Sequence, residues 1–161
     1  VDTSLSGIRV ARELDRIALR KVLGVNLLGS FIVAQEAVRR MGQGGRVVQI
    51  ASRGYLGGAG AAHYVASKAA VVGMVRAMAI ELRWRGITVN AVAPGMVDTR
   101  MLDDFSPTTR QALERREPSG AAASPQTIAD AVSFFASPRA AQCNGQVLFV
   151  DGGKTAGMPP L

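Results

Sequence analysis

Ser52, Tyr64 and Lys68 fall within one short stretch, SRGYLGGAGAAHYVASK (52–68), and are residue types that could together move a proton. Tyr64 and Lys68 are at i and i+4, which places both side chains on one face of a helix. A free tyrosine has a pKa near 10 and is a poor acid or base at neutral pH. An ammonium held close to it favours the phenolate and brings the pKa toward the working range. An isolated Tyr-x-x-x-Lys is usually an ordinary helix face. Ser52 changes that reading, because it closes the apolar run RVVQIAS and would stand at a strand end, its hydroxyl free to polarise a substrate oxygen. A competing pattern overlaps the same residues: Gly54, Gly58 and Gly60 spell G-x-x-x-G-x-G, a spacing of loops that wrap a dinucleotide's phosphates. Such a loop requires an acidic residue closing the following strand, about 20 residues on, to hold the ribose hydroxyls. The following strand ends instead at Pro94 and Gly95, and Asp98 is the first acid beyond it. The glycines are therefore assigned to a loop, and the chemistry to Ser52, Tyr64 and Lys68.

Elements must bring these residues together. Apolar residues from Leu14 to Val38 recur at helical spacing, predicting a helix over about 10–41 with a break or bend near Gly24, stopped by GQGG (42–45). RVVQIAS predicts a buried strand, residues 62–85 a long helix, and GITVNAVAPG (86–95) a second strand closed by Pro-Gly. Residues 96–124 read as irregular, with a short helix near PTTRQALERR. A helix over 124–138 has Ser124 as N-cap and Pro125 in its first turn. GQVLFVDGG (145–153) supplies a last strand. The alternation predicts an α/β fold: a Rossmann-like parallel sheet with crossover helices, about three strands, in a single domain over 1–161. Three strands are few for such a sheet, so the expectation is an incomplete one.

At 48% hydrophobic and 19% charged, the chain can bury a core and is not a disordered one. The net charge of +7 raises a nucleic-acid partner. The basic residues are scattered (Arg9, Arg12, Arg39, Arg40, Arg83, Arg85, Arg115, Arg116), without interleaved aromatics for base stacking, so none is expected. Cys143 is the sole cysteine and His63 the sole histidine, which excludes a Cys/His metal cluster and an internal disulfide. GGKTAG (152–157) fails as a phosphate loop, because Leu148 stands where the first glycine belongs. VDTSLSGIRVARELDR lacks the apolar stretch of a signal peptide, and AAVVGMV (69–75) is too short to span a bilayer. The expectation is a cytoplasmic protein without a membrane partner.

The stretch IASRGYLGGAGAAHYVASKAAVVGMVRAMAIELRWRGITVNAVAPGMVDTRM, with VNLLGSF (25–31), YVASK (64–68), NAVAPGMVDT (90–99) and GQVLFVDGG (145–153) in order, resembles the classical short-chain dehydrogenases/reductases over about residues 10–153. The resemblance implies hydride transfer between NAD or NADP and a small carbonyl/alcohol substrate. By it, Tyr64 is the acid/base and Lys68 lowers its pKa and holds the nicotinamide ribose. Ser52 orients the substrate oxygen, and Asn26 anchors a water that extends the proton relay. Pro94, Gly95, Val97 and Thr99 form the loop that fixes the nicotinamide. It also implies a homodimer or homotetramer whose helices 10–41 and 62–85 meet their copies, with Leu27, Phe31, Val71, Val75, Met78 and Leu82 offered as the apolar surplus. The family's Gly-rich phosphate loop and N-N-A-G block do not occur here, and the spacing from Asp15 to Asn26 is longer than usual. These departures lead to the expectation of a catalytic part without most of its cofactor-binding half. A second reading is a truncated, non-catalytic interaction protein, which nicotinamide binding would discriminate.

Overall fold

In the computed structural model, which describes residues 13–157, three parallel strands form an open sheet in the order β1-β2-β3. β1 is Arg46–Ile50, β2 is Thr88–Pro94 and β3 is Val147–Val150. Every residue of β2 is buried, as a central parallel strand with both faces covered must be. Its register sets Val48 opposite Asn90 on one side and Pro94 opposite Val150 on the other. The three strands and their parallel direction are those the sequence predicts; their order in the sheet is a finding of the structure.

The helices are α1 (Arg16–Leu23), α2 (Ser30–Arg40), α3 (Ala62–Leu82), α4 (Pro107–Glu114) and α5 (Pro125–Ala136). The period-2 alternation of the strands sends alternate residues to two cores. Val47, Val89, Ala91 and Ala93 join Ala34 of α2 and Val75, Met78 and Ala79 of α3. Val92, with Val48 and Val150 beside it, joins Phe135 and Ile128 of α5 on the opposite face. Buried Asn90 secures the entry to β3, donating to the Cys143 carbonyl at 2.8 Å and accepting from the Gln146 N–H at 3.0 Å.

A break or bend is expected in the first long helix near Gly24. It does not break there: Gly24 is helical (φ −58, ψ −44), and the chain runs through a π-helical segment, Gly24–Gly29, directly into α2. Without a proline, the helix absorbs the mismatch by widening. The expected start near residue 10 lies outside the described residues. Ser106 and Ser124 cap α4 and α5, accepting from Thr109 N–H and Thr127 N–H, and proline occupies the first turn of both.

Two expectations about apolar surface are corrected. Val71, Val75 and Met78, offered as interface residues, are buried within this chain, because α3 lies across β2 and spends that stripe on the sheet. Of the residues offered, Phe31 is exposed, and the rest of the exposed apolar surface includes Ile17, Val25, Leu28, Ile32 and Val33, with Ile80 and Trp84. Secondly, the helix Arg16–Arg40 is by length and composition long and apolar enough to cross a membrane, whereas the sequence reading found no such stretch. Counting only unbroken apolar runs missed it, since Asn26 and Ser30 interrupt the run without making the helix polar.

Candidate active site

The carboxyl ends of β1 and β2 open into a cavity of about 700 Å³. In an open parallel sheet, the strand ends are where loops diverge and leave room for a ligand. Ser52, Tyr64, Lys68, Pro94, Gly95, Val97 and Thr99 all line this cavity, so seven of the eight expected site residues are brought together.

Each is placed by local chemistry. Ser52 stands just beyond β1, extended, and its Oγ accepts from the Gly54 N–H at 3.1 Å. With that lone pair engaged, the hydroxyl hydrogen remains free to donate into the cavity. Tyr64 sits in the first turn of α3, half-buried. A side chain on Gly54 would come within 3.2 Å of Ser52 Oγ and 3.4 Å of Tyr64 Cε1, so Gly54 marks the place where serine and tyrosine converge. The glycine pattern of the sequence thus contributes space here rather than phosphate binding.

Lys68 lies one turn beyond Tyr64. Its Nζ is 6.0 Å from the centre of the tyrosine ring and donates to the Ile50 carbonyl at 2.9 Å, at the end of β1. Burial lowers the Lys68 pKa below the usual lysine range, because desolvation penalises the ammonium.

Pro94 ends β2, and the Gly95 N–H continues the ladder to the Val150 carbonyl at 2.9 Å. A Cβ at Gly95 would meet Asp151 at 3.0 Å, so only glycine lets the loop leave β2 this close to the end of β3. Val97 bridges Ala123, which ties the loop to the segment before α5. Thr99 opens the 3-10 turn Arg100–Leu102 on the cavity rim.

Asn26 is the eighth residue, and it is not in the cavity lining. It is buried in the π-helical segment, where its Nδ2 donates to Ser67 Oγ at 3.0 Å. Ser67 Oγ in turn donates to the Tyr64 carbonyl at 2.7 Å. Asn26 therefore reaches the site from behind, through the helix that carries Tyr64. Sequence reading missed Ser67, although it stands three residues after Tyr64 inside YVASK. It also missed the charged wall formed by Arg53, Arg116, Glu117 and Lys154, residues far apart in the chain that carry no mutual spacing. His63 is not among the residues lining the cavity.

The family model described as Enoyl-(Acyl carrier protein) reductase, one of the short-chain dehydrogenase/reductase models, matches residues 7–155. The chain belongs to the short-chain dehydrogenase/reductase family. Among its relatives in that family is the (2S)-[(R)-hydroxy(phenyl)methyl]succinyl-CoA dehydrogenase subunit BbsD of Thauera aromatica. The two are 43% identical over 146 residues, which covers 89% of this chain and 59% of that one. The 3-oxoacyl-[acyl-carrier-protein] reductase FabG of Rickettsia felis is 41% identical over 149 residues, with coverage of 86% and 62%. The chain thus spans about three fifths of the length of these short-chain dehydrogenase/reductase relatives. Among solved structures, the angucycline C-6 ketoreductase LanV with bound NADP superposes with a TM-score of 0.87 at 28% identity, over 96% of this chain and 60% of that one. A mutant short-chain dehydrogenase/reductase of Serratia marcescens superposes at 0.86 with 36% identity, over 94% and 62%.

Proposed function

We propose that the protein is an NAD(P)-dependent oxidoreductase that interconverts a carbonyl and an alcohol, with Tyr64 as the acid/base. The observation that carries this reading is the convergence of Ser52 and Tyr64 around Gly54 in the strand-end cavity, with Lys68 one turn away. In reduction, Tyr64 gives its phenolic proton to the substrate oxygen, and in oxidation it takes the proton back. Ser52 donates its free hydroxyl hydrogen to the same oxygen and so fixes the carbonyl in place. Asn26 braces the helix turn that carries Tyr64, because Ser67 Oγ passes its hydrogen bond to the Tyr64 backbone carbonyl; these bonds hold the turn and do not move the phenolic proton.

The residues suit a nicotinamide cofactor. Pro94, Gly95, Val97 and Thr99 line the cavity beside Lys68, so the loop can flank a flat ring while Lys68 and Thr99 offer donors to ribose and carboxamide. When bound, the nicotinamide supplies or accepts the hydride. NAD(P) binding by an SDR relative, as in LanV with bound NADP, supports the assignment.

The exposed face of the Arg16–Arg40 helix and of α3 is proposed to meet its copy in a homodimer or homotetramer, not a membrane. Ala66, Ala69, Gly73 and Ala77 form an exposed row of small residues on α3, beside Ile80 and Trp84. A Cβ on Gly73 would meet nothing, so its absence serves no packing within this chain and suits a close helix–helix approach. Free Cys143 is compatible with a reducing cytoplasm.

The test is nicotinamide fluorescence and carbonyl-dependent oxidation of NADH and NADPH. Tyr64→Phe keeps the ring and removes the proton, so turnover should fall by about 10²-fold or more while cofactor binding persists. Near-normal turnover in Tyr64→Phe would reject the mechanism.

A further inference from the structure

The cavity is more cationic than a neutral carbonyl compound requires. Arg53, Lys68, Arg116 and Lys154 line it against a single acid, Glu117. Lys68 belongs to the proton-transfer set; the remaining charges form a wall drawn from three separate segments. Glu117 is 8% exposed, and its Oε1 accepts from Lys154 Nζ at 2.6 Å and from Arg53 Nη2 at 3.4 Å. A carboxylate this buried needs a cation at contact distance to offset its lost hydration, and Lys154 fills that role.

Arg53 is left largely uncommitted. Its guanidinium makes that one long bond and no other side-chain bond among the described residues, although it carries five donors. Arg116 lines the same cavity and makes no ion pair among the described residues. Arg53 directly follows Ser52, so its charge enters the cavity beside the group that holds the substrate oxygen. Met101, Leu102, Phe105 and Leu113 make the rest of this side apolar, which strengthens any ion pair formed there.

We infer that the substrate carries, besides its reacting carbonyl or alcohol, a carboxylate that Arg53 and Arg116 receive. The inference rests on the oxidoreductase reading above and names the substrate class for it. The planar guanidinium fork matches a carboxylate bidentately, which lysine cannot do. The carbon chain between the two functional groups lies on the apolar side, and Glu117 engages Arg53 through a single Nη2 donor, leaving its other donors for the carboxylate.

The experiment is calorimetric titration of the protein as its gene encodes it, with and without NADPH, using matched pairs: 4-oxopentanoate against its methyl ester, and 5-oxohexanoate against its methyl ester. The expected result is that each acid binds about ten- to a hundredfold more tightly than its ester, the range of one or two charge-assisted hydrogen bonds. That ratio should collapse toward one in Arg53→Met and in Arg116→Met, and Arg53→Lys should restore only part of it. Arg116 is exposed and makes no ion pair among the described residues, so its substitution reads the site even if Arg53→Met fails to fold. Equal binding within both pairs, no binding of either acid, or an acid preference untouched by both substitutions overturns the inference. So does a loss of NADPH affinity, or of pantetheine 4′-phosphate binding, in the arginine variants with the acid-to-ester ratio unchanged, since the arginines would then serve a phosphate. Failure of both NADH and NADPH to bind the unsubstituted protein, with the acid preference intact, rejects the oxidoreductase reading instead and leaves the carboxylate site standing.

Discussion

Lys68 shows how a single residue is set to work against stability. Its ammonium is held at the end of β1 by the Ile50 carbonyl while burial lowers its pKa. In the window between that lowered value and the usual lysine range, the unfolded chain binds more protons than the folded one. Stability from this group therefore rises with pH across that window, and the full cost of burying the charge is present below the lowered pKa. Denaturation with urea at pH 7 and pH 10 should show the unsubstituted protein gaining stability relative to Lys68→Met as pH rises. A difference that is constant with pH would mean that Lys68 is not desolvated. Lys68→Met should also lose turnover, because the position that holds charge at the site is the one that disfavours it for folding.

At the scale of elements, the site depends on one contact between the first helix and α3. The π-helical turn aims Asn26 inward, and Ser67 passes its hydrogen bond on to the Tyr64 carbonyl. Ser67 is fully buried, so Ser67→Ala leaves the Asn26 amide without its acceptor in a dry place. A loss of about 1–3 kcal/mol in urea unfolding is expected. Turnover should fall as well, although Ser67 touches no substrate, because the helix turn carrying Tyr64 loses its anchor. A change below about 0.5 kcal/mol, the size expected of an ordinary surface substitution, would show that the link is incidental.

For the whole molecule, the decisive feature is the exposed apolar helical face. Trp84 is 82% exposed and Ile17 79%, and Phe31, Ile32 and Val33 of the same long helix as Ile17 are exposed as well. A contiguous patch of this kind marks a contact surface. Sedimentation velocity at micromolar concentration should give a dimer or tetramer. Gly73→Leu should shift it toward monomer without lowering secondary-structure content, since a side chain there meets nothing inside this chain. A monomer at micromolar concentration before any substitution would reject the association, and partition into lipid vesicles would assign the Arg16–Arg40 helix to a bilayer instead.

The sequence by itself determined the elements and the trio proposed to react, Ser52, Tyr64 and Lys68. β-branched runs bounded by glycine and proline specify strands, serine followed by proline specifies the starts of α4 and α5, and Tyr64 and Lys68 share a face because helix geometry is local. All of these are short-range rules, legible within a few residues. What surrounds the trio was not legible. That Gly54 makes room between serine and tyrosine, that Asn26 acts through Ser67, and that Glu117 joins Arg53 to Lys154 are contacts between segments tens of residues apart. The burial of Val71, Val75 and Met78 was likewise decided only when α3 settled across β2, since an apolar helix carries no mark of which stripe faces the sheet. Local sequence limits backbone conformation directly, whereas long-range neighbours are chosen by the packing of the whole sheet, and it is that packing which built the charged wall.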